Sequence, residues 1–130
     1  MIIDTSAYTE LRKGNKSILD IIDNFNELAV PLPVIAELSY GFMYGSRLQE
    51  NEKVLQIFLS QENVRILSPT VNTAKIYAEL AVMCRQAGRA LSHNDLWIAA
   101  LAREEDLTLA TFDKDFSVFE ELMGDKLIIL

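Results

Sequence analysis

The chain has 130 residues, the usual size of one domain, and half of them are apolar, which is enough to form a core without disulfides or a structural metal. It contains no apolar run of the roughly 20 residues that a membrane span needs, no basic segment at its start as in a signal peptide, and one cysteine, Cys84, so we expect a single cytoplasmic domain over residues 1–130 with no internal disulfide and no membrane association. Nineteen acids against twelve bases give a net charge of −7, so tight nucleic-acid binding would require a divalent cation or a basic partner to offset the acids.

The first half of the chain alternates short apolar runs with segments of helical periodicity. Ile18, Ile22 and Phe25, for example, recur at the spacing of one helix face. Pro33 suits the first position of a helix, and Gly45 suits its end. The predicted order is a strand over 1–4, a helix over 5–12, a helix over 17–27, a strand over 28–30 and a helix over 33–44.

The second half continues this alternation. Residues 96–102 are apolar on every side, which is typical of a helix buried in the interior of a fold. Strands alternating with helices predict an α/β domain whose mostly parallel sheet, of about five strands, is covered by helices on both faces. The predicted elements are a helix over 47–60, a strand over 64–67, a helix from 68–70 to about 88, a helix that begins at 92 and has 96–102 as its middle, and strands over 107–110 and 127–130.

Four acids lie where a predicted strand ends or a predicted helix begins, and each has a purely structural explanation. Asp4 can cap the helix that follows it. Glu37, in the first turn of its helix, is favoured there by the helix dipole. Asp95 stands three residues after Ser92, the spacing of a capping box. Asp113, with Asp115 close behind, suits a turn after a strand.

The common placement of these acids is more specific than any one of them. The carboxyl ends of parallel strands meet at one edge of a sheet, and ligands bind beyond that edge near the topological switch point. Carboxylates brought together there cannot all stay ionised without compensation. A divalent cation such as Mg²⁺, held by one or two carboxylates and waters, compensates them and orients a water for attack on phosphorus. The pattern therefore predicts metal-assisted phosphoester hydrolysis.

Four short motifs contain these acids: IIDTS at 2–6, PLPVIAEL at 31–38, HNDLWIAA at 93–100 and TFDKDF at 111–116. In this order and spacing they resemble the motifs of the PIN-domain ribonucleases, and among them those of the VapC-type toxins of VapBC toxin–antitoxin pairs. The resemblance runs over nearly the whole chain. It implies a PIN-like (Rossmann-like) three-layer α/β/α fold.

The resemblance also implies an activity and a site. The activity is that of an endoribonuclease that depends on Mg²⁺ or Mn²⁺ and hydrolyses RNA phosphodiester bonds with a metal-activated water. Ser6 and Thr111 match hydroxyl positions that support the site, and Asp115 is a second candidate for the fourth acid. The catalytic acids would be Asp4, Glu37, Asp95 and Asp113, of which Asp4, Asp95 and Asp113 would bind the metal.

The partners implied by the resemblance are an RNA substrate, a VapB-like antitoxin and a second copy of the chain in a homodimer. DNA would be bound only indirectly, through the antitoxin. The antitoxin's C-terminal segment would lie across the helix that carries Tyr40, Met43 and Tyr44. Packing in the core is the alternative explanation for these three residues.

The remaining candidates for a role at the site are the single histidine, the single tryptophan and the sparse basic residues. His93, the only histidine, is expected to be a surface or capping residue, with a general base as the alternative, and Trp97 is expected in the core. The sparse bases can be solvated or can hold RNA phosphates around the acids; they are Arg12, Lys13, Lys16, Arg85, Arg89 and Lys114.

The competing hypothesis is a non-catalytic acidic α/β interaction module or receiver-like module. A receiver needs a phosphoacceptor Asp after its third strand, and the third predicted strand, VRIL, is followed by SPT. The chain also lacks the D-x-D of haloacid-type phosphatases after its first strand and any phosphate-binding G-x-x-x-x-G-K-[ST] stretch. An interaction module with structural acids therefore stays open beside the nuclease.

Overall fold

The computed structural model describes residues 1–130, and its strands form one parallel sheet. The strands are β1 Ile2–Ile3, β2 Leu28–Pro31, β3 Val64–Leu67, β4 Leu109–Thr111 and β5 Leu127–Ile129. Their order across the sheet is β3-β2-β1-β4-β5, and every neighbouring pair is parallel. This arrangement confirms the predicted PIN-like α/β fold.

The helices connect the strands and cover the sheet. They are α1 Thr5–Arg12, α2 Lys16–Ile22, α3 Leu32–Tyr44, α4 Leu48–Leu59, α5 Val71–Gln86, α6 His93–Glu104 and α7 Glu120–Met123, with 3-10 helices at Lys114–Phe119 and Gly124–Lys126. None of them is both long enough and apolar enough to cross a membrane.

The core lies around the central strands and α6. Ile2 and Ile3 of β1 are fully buried, and so are Ala99 and Ala100 in the middle of α6. The predicted burial of the helix over 96–102 is therefore confirmed except at Trp97, which is half-buried. Burial of the central strands fixes where their carboxyl ends emerge, which is the edge that carries Asp4.

One predicted strand is less buried than expected. β3 is an edge strand, and Arg65 and Ile66 in its middle are exposed. Because Arg65 forms ion pairs with Glu27 at 2.9 Å and Glu105 at 3.1 Å, the strand presents charge to solvent. Charged side chains on an edge strand oppose pairing with another sheet.

Some element boundaries differ from the predictions. The second helix ends at Ile22 and not at residue 27, because the chain turns where the Asn24 amide donates to the carbonyl of Asp20 at 2.9 Å. The third helix begins at Leu32, with Pro31 as its N-cap, one residue before the predicted start. The fourth strand begins at Leu109 and not at residue 107.

The 3-10 helix at 114–119 was not predicted. Phe116 and Phe119 are both fully buried and lie three residues apart. Side chains three apart fall on one face of a 3-10 helix, so this short element buries two aromatic rings beneath the residues that follow β4. It also fixes the position of Asp113, the residue immediately before it.

Candidate active site

An open cleft of about 460 Å³ lies at the carboxyl ends of β1 and β4. The strand order reverses between these two strands, which makes this edge the topological switch point of the sheet. All four predicted catalytic acids line the cleft. Its lining consists of Asp4, Thr5, Ser6, Thr9, Glu10, Glu37, Asp95, Phe112 and Asp113.

Asp4 is held at the floor of the cleft. It is the N-cap of α1, and only 3% of its surface is exposed. Its Oδ1 accepts the Ala7 N–H at 2.7 Å, and its Oδ2 accepts the Thr111 hydroxyl at 2.6 Å. The Ser6 hydroxyl donates to the same carboxylate at 2.7 Å. The capping role predicted for Asp4 and its position in the acid cleft are therefore compatible.

The environment of Asp4 raises its pKa above the usual range. Burial is the largest cause, because it disfavours the charged carboxylate. The hydrogen bonds from Thr111, Ala7 and Ser6 lower the pKa in part, and the charge of Asp113 raises it further. A bound cation would favour the ionised form of this carboxylate.

Ser6 and Thr111 join the first and fourth motifs. The Ser6 oxygen accepts the Phe112 N–H at 2.8 Å while its hydroxyl donates to Asp4. The Thr111 oxygen likewise accepts the Asp113 N–H at 2.9 Å while its hydroxyl donates to Asp4. Both hydroxyls therefore fix the segment after β4 relative to the Asp4 carboxylate.

Glu37 is positioned by two other elements. It lies in the second turn of α3, which begins at Leu32, so its predicted position in the first turn of the helix was wrong. Its Oε2 accepts a hydrogen bond from the Thr5 hydroxyl of α1, and its Oε1 accepts one from the Asn94 amide of α6 at 3.0 Å. Glu37 is therefore an oriented carboxylate that faces the cleft.

Thr5 and Asn94 are site residues that the sequence prediction missed. Neither of them was assigned to the predicted site. Each is the immediate neighbour of a predicted catalytic acid, Asp4 or Asp95. That adjacency was the available signal, but which acid each of them contacts depends on the packing of α1, α3 and α6.

Asp95 is half-buried at the third position of α6. Its N–H donates to the Ser92 hydroxyl at 3.1 Å, so Ser92 caps the helix as predicted. The reciprocal bond from the Ser92 N–H to the Asp95 carboxylate is not formed, which leaves that carboxylate facing the cleft. Burial raises the pKa of Asp95, the Ser92 hydroxyl lowers it, and the charges of Asp113, Glu37 and Asp4 raise it further.

Asp113 and Asp115 have different surroundings. Asp113 lines the cleft, and its Oδ1 accepts the Asp115 N–H at 2.9 Å, so it also caps the 3-10 helix. Asp115 is exposed and does not line the cleft. The geometry therefore favours Asp113 over Asp115 as the fourth acid.

The donor set fits a hard divalent cation only with waters completing the coordination. No group of three or more Asp, Glu, His or Cys side chains is arranged to hold a metal ion by itself. The acids nevertheless face one cleft and are close enough for Asp113 to raise the pKa of both Asp4 and Asp95. Mg²⁺ usually binds through one or two carboxylates and several waters, so the acids fit that ion without forming a closed cage.

The remaining candidates lie outside the cleft lining. His93 is exposed, and its Nδ1 shares a hydrogen bond with the Tyr77 hydroxyl. Trp97 is half-buried and not in the core, with its ring 4.6 Å from that of Tyr77. The geometry thus gives His93 a partner on α5 and no position among the acids.

The aromatic surface of α3 is not core. Tyr40 and Met43 are each 71% exposed, and Tyr44 is 86% exposed. The core-packing explanation for these three residues is therefore wrong. The rings of Tyr40 and Tyr44 stack on each other with their centroids 6.2 Å apart, at the end of α3 remote from its buried residues Val34 and Leu38.

The strand order and the acid-lined cleft at its switch point define the chain as a PIN-like α/β domain. The family model described as "PIN domain" matches residues 1–122. The chain belongs to the PIN domain family.

Individual relatives agree with this assignment. The chain is 33% identical over 93 residues to ribonuclease VapC2 of Rickettsia felis, a match that covers 72% of this chain and 68% of that protein. Its fold is similar to that of VapBC2 from Rickettsia felis bound to a DNA fragment from their promoter, with a TM-score of 0.77, 28% identity, and coverage of 99% of this chain and 96% of the other. VapBC-1 from nontypeable Haemophilus influenzae shares the fold with a TM-score of 0.80 at 24% identity, over 92% of both chains.

Proposed function

We propose that this chain is the toxin of a VapBC-type toxin–antitoxin pair, an endoribonuclease that depends on Mg²⁺ or Mn²⁺. The observation that carries the proposal is the convergence of four carboxylates, from four separate segments of the chain, on one cleft at the switch point of the sheet. Membership of the PIN domain family and similarity to a protein named as a ribonuclease support it.

Each residue of the cleft has a distinct proposed role. Asp4, Asp95 and Asp113 hold the cation, which when bound neutralises phosphate charge and lowers the pKa of a water. Ser6 and Thr111 keep the Asp4 carboxylate in its orientation through the hydrogen bonds at 2.7 and 2.6 Å. The buried position of Asp4 excludes bulk water from the side opposite the substrate.

Glu37 takes the proton in the proposed reaction. Its oxygens are oriented by Thr5 and Asn94 toward the cleft, where an attacking water would lie. The water oxygen forms a bond to phosphorus, and one proton of the water passes to the Glu37 carboxylate. The bond from phosphorus to the leaving ribose oxygen breaks, and that oxygen takes a proton from solvent water to become a hydroxyl. The products are two RNA ends, one with a phosphate and one with a hydroxyl.

The partners and location follow from the same proposal. A VapB-like antitoxin would cover the exposed surface of Tyr40, Met43 and Tyr44, and a basic side chain of the antitoxin would be attracted to the acid cleft. A homodimer and an indirect contact with DNA, through the antitoxin, complete the proposed assembly. The site of action would be the cytoplasm.

Sequencing of RNA ends tests the activity. The wild type, Asp4→Asn and Asp95→Asn are expressed, and the purified proteins are incubated with total RNA in Mg²⁺ or in chelator. New RNA ends should form only with the wild type and Mg²⁺ or Mn²⁺. Asp20→Asn removes an exposed acid outside the cleft and should cleave like the wild type. Unchanged cleavage by a folded Asp4→Asn variant would sink the proposal.

The interaction module is the second candidate, and one observation favours it. No three acids form a ready-made metal cage in the metal-free chain. Calorimetry with millimolar Mg²⁺ or Mn²⁺ separates the two candidates. Heat of binding that disappears in Asp4→Asn supports the nuclease, whereas no binding in the wild type supports the interaction module.

A further inference from the structure

A second groove, of about 330 Å³, lies between the end of α5 and the start of α6. Arg85 and Arg89 line it together with the apolar surface of Leu96 and Cys84, and no carboxylate contributes to its wall. Arg85 forms no salt bridge, in contrast to Lys13, Arg65 and Lys126 elsewhere on the surface. In a chain of net charge −7 this groove is a local concentration of positive charge.

Arg89 is held in place by the backbone and by a side-chain contact. Gly88 ends the turn after α5 with a φ of 66°, a left-handed conformation that suits glycine. The Arg89 N–H then donates to the Cys84 carbonyl at 2.9 Å, which fixes the turn. The Arg89 Nη2 donates to the Ser117 hydroxyl at 2.9 Å, so the guanidinium is held against the 3-10 helix at 114–119.

The groove and the acid cleft are lined by adjacent residues at the start of α6. Leu96 lines the groove and Asp95 lines the cleft, and consecutive Cα atoms are about 3.8 Å apart. Ser117, which holds Arg89, belongs to the 3-10 helix whose N-cap is Asp113, another lining residue of the cleft. An RNA strand lying across the start of α6 would therefore contact the acids and then the two arginines.

We infer that Arg85 and Arg89 form a phosphate-binding subsite that holds the RNA backbone next to the acid cleft. The inference rests on the proposed ribonuclease function and adds the residues that bind the substrate. A guanidinium presents paired donors that match a phosphate. The groove floor of Leu96 and Cys84 is apolar, so sugar and base edges can lie against it while the phosphates face the arginines.

Binding without cleavage provides the test. A fluorescein-labelled single-stranded RNA of mixed sequence is titrated with the wild type, Arg85→Gln and Arg89→Gln in chelator, and anisotropy is followed over a range of salt concentrations. The affinity should fall several-fold, and the slope of log affinity against log salt should decrease by about 0.7 for each arginine removed. Arg89→Lys keeps the charge and should retain most of that slope.

Two further variants separate the subsite from general charge effects. Arg103→Gln removes the same charge at the far end of α6, where Arg103 contacts the Leu122 carbonyl at 3.5 Å, and should bind RNA like the wild type. Ser117→Ala frees the Arg89 side chain without changing charge and should weaken affinity while leaving the salt slope unchanged. Melting temperatures of all variants establish that each is folded.

The outcomes distinguish this inference from the proposed function. Equal effects of Arg103→Gln and Arg89→Gln would overturn the subsite, because net charge alone would then account for binding. RNA binding that depends on Arg85 and Arg89 without any metal-dependent cleavage supports the subsite and contradicts the nuclease. Cleavage and binding that are both unaffected by the two arginine substitutions support the nuclease and overturn the subsite. A wild type that binds no RNA also overturns the subsite.

Discussion

At the scale of single residues, the contact between Asn94 and Glu37 is the most direct link between two acid-bearing helices. Asn94→Ala removes the 3.0 Å bond and leaves Glu37 with Thr5 as its one side-chain donor. Because partners that orient an active-site carboxylate typically account for about 10–100-fold in activity, we expect RNA cleavage to fall by that factor. Initial rates with Mg²⁺ provide the measurement.

A matched asparagine serves as the control for this prediction. The Asn24 amide donates to the Asp20 carbonyl on the surface, so Asn24→Ala loses a similar bond away from the cleft. Its cleavage rate should equal that of the wild type. If the Asn94→Ala and Asn24→Ala variants cleave RNA equally fast, the orientation of Glu37 by Asn94 has no catalytic value.

The buried charge of Asp4 predicts a conflict between stability and activity. Its pKa is raised in the folded chain, mainly by burial. Between the ordinary pKa of Asp and this raised pKa the folded chain binds more protons than the unfolded chain, so the free energy of unfolding falls as pH rises through that interval. Asp4→Asn removes the charge, and Asn remains a good N-cap. In chelator, the variant should therefore unfold at a higher denaturant concentration than the wild type near neutral pH.

The pH dependence of this difference is the sharper measurement. The gap in unfolding free energy between Asp4→Asn and the wild type should shrink as pH falls to about 4, where an ordinary Asp becomes protonated. A gap that is constant between pH 4 and 7 would mean that the charge of Asp4 is not the cause. RNA cleavage should be lost in the variant at every pH.

At the scale of elements, the start of α5 is fixed by a carboxylate from the end of α6. Thr70 and Thr73 form a capping box, and the Glu104 carboxylate accepts the Thr70 hydroxyl at 2.9 Å, the Asn72 amide at 3.1 Å and the Thr73 hydroxyl. The hydrogen bond from Thr73 is the largest of the causes that lower the pKa of Glu104. This joint, formed by Thr70, Asn72, Thr73 and Glu104, links the start of α5 to the end of α6, far from the acid cleft.

Thr73→Val tests the joint. Thr73 is fully buried, and its oxygen accepts the Thr70 N–H at 2.7 Å, so valine leaves that N–H without a partner. We expect a loss of about 1–3 kcal/mol in unfolding free energy, measured by urea denaturation, with unchanged RNA cleavage at low temperature. The same substitution at the exposed Thr9 of α1 is unsuitable as a control, because Thr9 lines the cleft. Val71→Thr is the control instead: it changes an exposed position of α5 and should lower the free energy of unfolding little.

The same joint has a defined pH dependence. Because the pKa of Glu104 is lowered in the folded state, its contribution is complete above the ordinary glutamate pKa of about 4.3 and is lost as pH falls through the folded value. The cost of Thr73→Val should therefore be smaller at pH 3 than at pH 7. An equal cost at both pH values would assign the whole effect to the Thr70 N–H.

The alternation of strands and helices was predictable because burial on both faces of a central strand requires consecutive apolar residues, as in Ile2 and Ile3. The edge position of β3 was not predictable, since VRIL is as apolar as the other strands apart from Arg65. Strand order depends on contacts between residues distant in sequence. The 3-10 helix after β4 escaped prediction because one pair of phenylalanines is too short a pattern to define an element.

The acids of the site were predictable for a different reason. Asp4 directly follows β1, Asp113 comes two residues after the last residue of β4, and a strand's end defines an edge of the sheet. Ser6, which donates to Asp4, belongs to the same motif, whereas Thr111, which also donates to Asp4, comes from the fourth motif. The contact of Asn94 with Glu37 joins residues 57 positions apart and depends on how α3 packs against α6, which no local pattern specifies.

At the scale of the whole molecule, the negative charge and the buried acids lead us to expect that the free energy of unfolding depends on a divalent cation. A ligand that binds only the folded state at 100 times its dissociation constant adds about 2.7 kcal/mol of stability. For a domain of this size that corresponds to a rise in melting temperature of roughly 10 °C. Mg²⁺ or Mn²⁺ should therefore raise the melting temperature of the wild type in proportion to the logarithm of its concentration.

Variants of the cleft determine whether this effect belongs to the site. The double variant Asp4→Asn with Asp95→Asn should show almost no shift, because two of the three proposed ligands are gone. Asp20→Asn with Asp23→Asn removes the same charge from the exposed surface near the end of α2 and should retain the full shift. If both double variants shift alike, the cation acts on net charge through screening, and the acid cleft is not its binding site. A full shift confined to chains with intact Asp4 and Asp95 ties the stability of the whole fold to the same carboxylates that the proposed reaction uses.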